Sequence, residues 1–313
     1  MIDLVGQIDA YEILARVTSG MLDGTSFRFD KRVHLAISHD TEIGSGFDFE
    51  VPWASGVITP DGASAGADET LILGSLFAAD PEALDLIDAA AGRLSYEARE
   101  SDRRVYLMSP VTDTLLKLFD SEGADRAPLR PVIEGWARLD GSPPVLLADA
   151  MYLGGDFLPT DPRELIAMIG NAREVGDPVR TELEGRPVSR VDLIVFLTDL
   201  SYVNGDIDFE TLLDNLRAQG ATEEETDSLR RALEGSDALV SVWVDDTDHI
   251  VRVEYELGAD AIAPAIQSPS LAAALDRLDM VEHVVFTFSD FDDPDLAVDP
   301  PADFVPLPAA SFF

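Results

Sequence analysis

From residue 175 onward the sequence alternates polar and apolar residues in short runs broken by turn signals, and few helices separate those runs. Val175 to Leu183 and Pro187 to Leu197 read as two strands joined across Glu184-Gly185-Arg186. Val240 to Val244 and Ile250 to Leu257 form a second hairpin across Asp245-Asp246-Thr247-Asp248, and Val281 to Phe288 supplies a further strand. Strands that follow one another directly, each with one polar and one apolar face, pair antiparallel and bury one side. A doubly wound parallel sheet is disfavoured. The fold class this predicts is α+β: a large curved antiparallel sheet with helices gathered on one face.

The first half obeys the same rule less consistently. Asp9 to Met21 reads as a helix, and Phe27 to Ile37 as a strand with Phe27, Phe29, Val33, Leu35 and Ile37 on its apolar side. Phe47, Phe49, Val51 and Trp53 alternate with Asp48 and Glu50 in a second strand. Strand-like pieces are expected at Val57 to Thr59, Thr70 to Leu76 and Arg104 to Met108, with helices at Pro81 to Ala91 and Val111 to Phe119. Gly123 to Pro144 is rich in Pro and Gly and reads as long connections. Asp161-Pro162-Arg163-Glu164 opens a helix: Asp as N-cap, Pro in the first position, an acid in the first turn. Two acid-rich helices are expected near Asp208 to Ala218 and Thr222 to Leu233.

Charge limits the partners. Asp and Glu number 60 against 22 Lys and Arg, a formal net charge of −38 at pH 7. Repulsion on that scale destabilises a compact fold in dilute buffer and is relieved by salt, so adaptation to salt or alkali is expected. Disorder is the alternative, and a 46% hydrophobic content with regular alternation argues against it. A phosphate backbone demands basic patches, and none is present in the sequence, so nucleic acid is a poor partner. With no cysteine, disulfides and thiolate chemistry are excluded. No run approaches the roughly 18–20 apolar residues of a membrane-spanning helix, so a soluble chain is expected. Met1-Ile2-Asp3-Leu4 shows no charged and then apolar leader.

Motifs of catalysis are hard to find. Asn204-Gly205-Asp206-Ile207-Asp208-Phe209-Glu210 sounds like half a calcium loop. With Gly205 at the turn position, the first, third and last ligand positions fall on Leu200, Tyr202 and Thr211, so helix capping accounts for it better. The acidic turns Asp245 to Asp248 and Asp290 to Asp295 read as turn chemistry on a solvated surface. His34, His39, His249 and His283 are scattered without metal-ligand spacing. Gly44-Ser45-Gly46 is not a nucleophile elbow, and no Gly-rich phosphate loop occurs. No catalytic residue, metal or cofactor is expected, and the chain reads as a non-enzyme.

The constellation that stands out is the ordered set of hairpins. Glu182-Leu183-Glu184-Gly185-Arg186-Pro187-Val188-Ser189-Arg190-Val191-Asp192-Leu193 is followed by Val240-Ser241-Val242-Trp243-Val244-Asp245. Then come Ile250-Val251-Arg252-Val253-Glu254-Tyr255 and a closing Phe288-Ser289-Asp290-Phe291-Asp292 with Val298-Asp299-Pro300-Pro301. In order and spacing this resembles the LppX/LprG-type lipoproteins of actinobacteria, within the wider LolA-like group. The helix Asp161 to Ile169 and the N-terminal helix leading into Thr25-Ser26-Phe27-Arg28 resemble the same family. The resemblance covers about residues 160 to 305, more loosely 9 to 59, and aligns poorly over about 60–160. Two positions depart from the family pattern: Thr247-Asp248 stands where Asp-Gly is usual, and Asp292 where Gly is usual.

The resemblance implies one LolA-like domain over 1–313, a half-open β-barrel with helices covering its concave face. It also implies an apolar cavity between sheet and helices that holds the acyl chains of a lipid or lipoglycan. Such a protein is an extracytoplasmic carrier, monomeric, anchored to the cell envelope as a lipoprotein or secreted, and able to hand lipid to a membrane transporter or acceptor protein. The signal segment and the lipid-bearing cysteine are not in the chain. On the apolar parity of the strands, the expected cavity-lining residues are Leu35, Ile37, Phe47, Phe49, Leu193, Val195, Leu197, Val242, Val244, Val251, Val253 and Val285. An ordinary closed core would use the same residues, which makes a non-enzymatic envelope scaffold or sensor the second reading. A salt-adapted hydrolase is the third.

Overall fold

The computed structural model describes residues 4–39, 47–78, 80–102, 104–118, 129–140, 162–199, 217, 222–223, 226–227, 229–231, 236–258 and 278–308. Its helices include α1 (Leu4–Asp23), α2 (Thr70–Leu76), α3 (Pro81–Ala89), α4 (Val111–Leu118), α5 (Arg130–Glu134) and α6 (Pro162–Gly170). The first six strands are β1 (Phe27–His39), β2 (Phe47–Thr59), β3 (Gly62–Asp68), β4 (Ser95–Ser101), β5 (Arg104–Met108) and β6 (Ala137–Asp140). They are followed by β7 (Glu174–Val175), β8 (Val179–Leu183), β9 (Arg186–Phe196), β10 (Asp237–Asp245), β11 (Ile250–Gly258), β12 (Leu278–Ser289) and β13 (Val305–Pro308). Two compact units emerge: unit 1 comprises Met1–Gly24, Arg32–Glu50 and Thr160–Phe288, and unit 2 the segments Thr25–Lys31, Val51–Pro159 and Ser289–Phe313. Strands β1 and β2 contribute residues to both.

In unit 1, strands β12, β11, β10 and β9 pair antiparallel in that order, with β7 and β8 against β9. Register explains the core. Val191, Val242, Val253 and Phe286 lie in one cross-strand row, and Leu193, Val240, Tyr255 and Val284 in the next. All eight are buried. Burying a side chain of this kind contributes about 1.5–3 kcal/mol. Helix α1 turns Ala10, Leu14, Val17 and Met21 to the interior at helical spacing, and α6 does so with Leu165, Ile166 and Ile169. The two helices approach closely where Gly170 meets Thr18: a Cβ at Gly170 would lie 2.9 Å from the Thr18 hydroxyl. The Ile250 amide donates to the Met21 sulfur at 3.3 Å, which ties α1 to β11.

In unit 2, β2 to β6 form an antiparallel run and β13 joins β6 in parallel. Helices α2 to α5 pack on one face around Leu73, Ile87, Leu94, Tyr96, Ala98, Leu107, Leu115 and Val132. Each unit is thus an open, predominantly antiparallel sheet with helices on one side, the α+β class expected from the alternation.

Several local expectations change. Thr70 to Leu76 is helix α2 rather than a strand. The Asp68 carboxylate accepts from the Thr70 amide at 3.0 Å and starts the turn, after which Ile72 and Leu73 are both buried while Leu71 is 58% exposed. Adjacent buried residues suit a helix and not a pleat. Strand β4 was not anticipated, because its apolar face is only Tyr96 and Ala98 between polar residues. The stretch Gly123 to Pro144 contains α5 and β6 in its described part.

Candidate functional site

A cavity of about 320 Å³ opens in unit 1 beside α6. Glu164, Ala167, Met168 and Asn171 stand at i, i+3, i+4 and i+7, a single stripe of the helix, and form one wall. Opposite lie Val195 and Phe196 at the end of β9, with Arg173 and Asp199. The walls are therefore Ala167, Met168, Val195 and Phe196, with polar groups at the edges. Val195 is buried, and Phe196, its neighbour on the other face of the strand, is 40% exposed. A cavity touching both wraps the strand end.

Local hydrogen bonds hold this geometry. The Asn171 side chain donates to the Ala167 carbonyl at 2.8 Å and closes the C-terminal turn of α6. The Arg173 amide donates to the Ile194 carbonyl at 2.9 Å, and the Tyr11 hydroxyl donates to the Arg173 carbonyl at 3.3 Å. The Arg173 guanidinium lies 5.2 Å from the Phe196 ring centre and pairs with Asp237 at 2.5 Å. The Leu197 amide donates to the Ser236 carbonyl at 3.0 Å and fixes the exit from β9. No hydroxyl, thiol or imidazole lines the cavity among the described residues. What the arrangement offers is an apolar recess with a polar mouth.

The opposite face of the unit 1 sheet is polar and interlocked. Arg190, Trp243, Arg252 and Thr287 make one cross-strand row, and both guanidiniums lie over the indole, at 5.4 and 5.5 Å. Asp192 accepts from Arg190 and from the Ser241 hydroxyl, and Glu254 accepts from Arg252 and pairs with His283. Burial alone would raise the Glu254 carboxyl. Hydrogen bonds from His283 and Arg252 outweigh that and hold it below the ordinary carboxylate range.

Among the residues expected to line a cavity, Leu193, Leu197, Val242, Val244 and Val253 are buried in the packed interior of unit 1, and of those with described side chains Val195 is the one that reaches the recess beside α6. Leu35 and Phe49 are half-buried on β1 and β2, while Ile37 and Phe47 lie in those strands with side chains outside the described residues. Two sit differently from the expected parity. A β-bulge at Trp243/Val244 sets Ile250 opposite Val244, so Ile250 is buried and Val251 is only half-buried. Val285 pairs with Glu254 on the polar face, because Val284 and Phe286 take the interior. The stretch Asn204 to Glu210 lies outside the described residues. Ala167, Met168 and Phe196 were not anticipated. The available signal was Phe196 following Val195, a large apolar residue on the parity that carries Arg190 and Asp192.

Both departures from the family pattern adopt the backbone that glycine favours: Asp248 has φ +62° and Asp292 +53°. Arg16 of α1 pairs with Asp248 at 2.8 Å, and Asp292 exchanges hydrogen bonds with Ser26, its amide donating to the Ser26 carbonyl at 2.8 Å. Among the described residues no helix is long and apolar enough to cross a membrane.

No family model matches the chain, and no curated protein matches it. Among solved structures it is similar to LprF from Mycobacterium bovis, at 12% identity and TM-score 0.39 over 95% of this chain and 98% of that one. It is also similar to the lipoprotein LppX from Mycobacterium tuberculosis, at 10% identity and TM-score 0.34 over 95% and 100% of the two chains. A LolA superfamily protein from Nitrosomonas europaea matches at 10% identity and TM-score 0.20 over 92% and 94%.

Proposed function

We propose that the protein is a non-catalytic carrier that holds the apolar chain of a lipid or lipoglycan in the recess between α6 and the end of β9. The observation that carries this reading is the cavity itself: about 320 Å³, walled by Ala167, Met168, Val195 and Phe196. That is the lower end of the range for ligand pockets, about 300–1,000 Å³, and suits part of an acyl chain. Apolar walls favour transfer of methylene groups from water by about 0.8 kcal/mol each. The residues at the mouth orient a polar head and perform no covalent step. The resemblance of the hairpins to LppX/LprG-type lipoproteins supports the same reading, and with it an extracytoplasmic setting and transfer to a membrane transporter or acceptor. The twelve residues expected from strand parity enter the proposal only through Val195.

The test is uptake of an environment-sensitive acyl fluorophore in high salt. Saturable uptake by the native protein, lost in Ala167→Trp and weakened in Phe196→Ala, is expected. Native protein that takes up no probe contradicts the carrier reading. A second reading draws on the packing: Leu193, Val242 and Val253 are fully buried, so the unit 1 interior is closed where they lie. Absence of uptake favours this closed scaffold or sensor.

A further inference from the structure

We infer that the recess beside α6 selects chains whose head carries no net negative charge, such as a neutral ester or an ammonium group, over fatty carboxylates and phosphates; this rests on the carrier reading above. Recognition of a carboxylate or phosphate is ordinarily built from Arg or Lys donors aimed at it. Among the described residues the lining has a single cation, Arg173, and its guanidinium is engaged by Asp237 at 2.5 Å and laid over the Phe196 ring. An anionic head would have to displace Asp237 to reach it. The other ionisable groups of the described lining are carboxylates, Glu164 and Asp199, both exposed at the mouth, and its remaining polar group, Asn171, is neutral with its amide given to the Ala167 carbonyl. The chain's charge of −38 adds a field of the same sign. Apolar walls accept the tail of any of these amphiphiles equally, so the head decides.

The experiment is displacement of an uncharged fluorescent acyl probe from the full chain by three competitors with the same tail: dodecylamine, monododecanoyl glycerol and dodecanoate, each below micelle formation. At low salt the amine and the glyceride displace the probe at least about tenfold more tightly than dodecanoate, a difference of roughly 1.4 kcal/mol. At about 1 M salt, where the Debye length falls to about 3 Å, the margin between amine and glyceride shrinks. Asp199→Asn and Glu164→Gln each narrow the margin over dodecanoate by tightening dodecanoate. Dodecanoate displacing as tightly as the glyceride overturns the selectivity and leaves the carrier reading standing. A native protein that binds neither the probe nor any competitor overturns both.

Discussion

Glu69 is a carboxyl group in the wrong place for its charge. It occupies the N-cap position of α2 in unit 2 without a side-chain capping bond and is 3% exposed; its amide donates to the Leu94 carbonyl at 2.6 Å and its own carbonyl accepts from Leu73. Burial, and secondarily the neighbouring charge of Asp68, push its carboxyl from 4.5 up to about 7. The unfolded chain therefore releases this proton at lower pH than the folded one. Below about pH 4.5 both states hold it and the group is neutral to stability. Between about pH 4.5 and 7 the unfolded state binds fewer protons, and stability falls as pH rises. At 1.36 kcal/mol per pH unit, the loss is complete above pH 7 and amounts to about 3 kcal/mol. Glu69→Gln keeps the shape and removes the charge. We expect the variant to match the native protein near pH 4 and to exceed it by about 3 kcal/mol near pH 8. Denaturant unfolding at both pH values, at high salt and followed through Trp53 and Trp136 in a Trp243→Phe background, reads the difference. A native–variant gap that does not widen with pH refutes the reasoning.

Other consequences follow from single positions. Asp248→Gly relieves a left-handed backbone that costs an L-residue about 1 kcal/mol and gives up only an exposed ion pair with Arg16, so a higher melting temperature is expected. Gly56→Ala places a methyl 1.9 Å from the Ser64 carbonyl and 2.7 Å from the buried Phe29 ring; loss of about 2 kcal/mol or more is expected in a denaturant titration. Because Glu254 is held below its ordinary range, its contribution is present above about pH 4.5 and lost as acid protonates it in the fold. His283→Ala should therefore shift the acid-unfolding midpoint of unit 1 upward. With a charge of −38, thermal stability should rise steeply between dilute buffer and about 1 M salt, and a flat salt response would contradict the acidic-surface argument.

How legible these features were depended on how much of the signal was local. The hairpins β8–β9 and β10–β11 were readable because alternation and turn chemistry agree: Glu184 and Gly185 both take positive φ, as a two-residue hairpin turn demands. The inward row through Val242 and Val253 was readable for the same reason. Val251 and Val285 escaped because a bulge shifts phase by one residue without any mark in composition, and because Val284-Val285-Phe286 is apolar on both parities. Helix α2 escaped because Thr-Leu-Ile-Leu has strand propensity that a single Asp68 side chain overrides. The recess was hardest to foresee. Ala167 and Met168 look like part of any amphipathic helix, and only the tertiary placement of β9 turns that stripe into a wall.

The most direct test of the central claim is native mass spectrometry of the protein purified in high salt, followed by organic extraction, on the native chain and on Ala167→Trp in parallel. The account predicts an added lipid-sized mass on the native chain, displaced by competing acyl chains and absent from the variant. A clean unliganded mass for the native chain, or an equal load on both proteins, contradicts it.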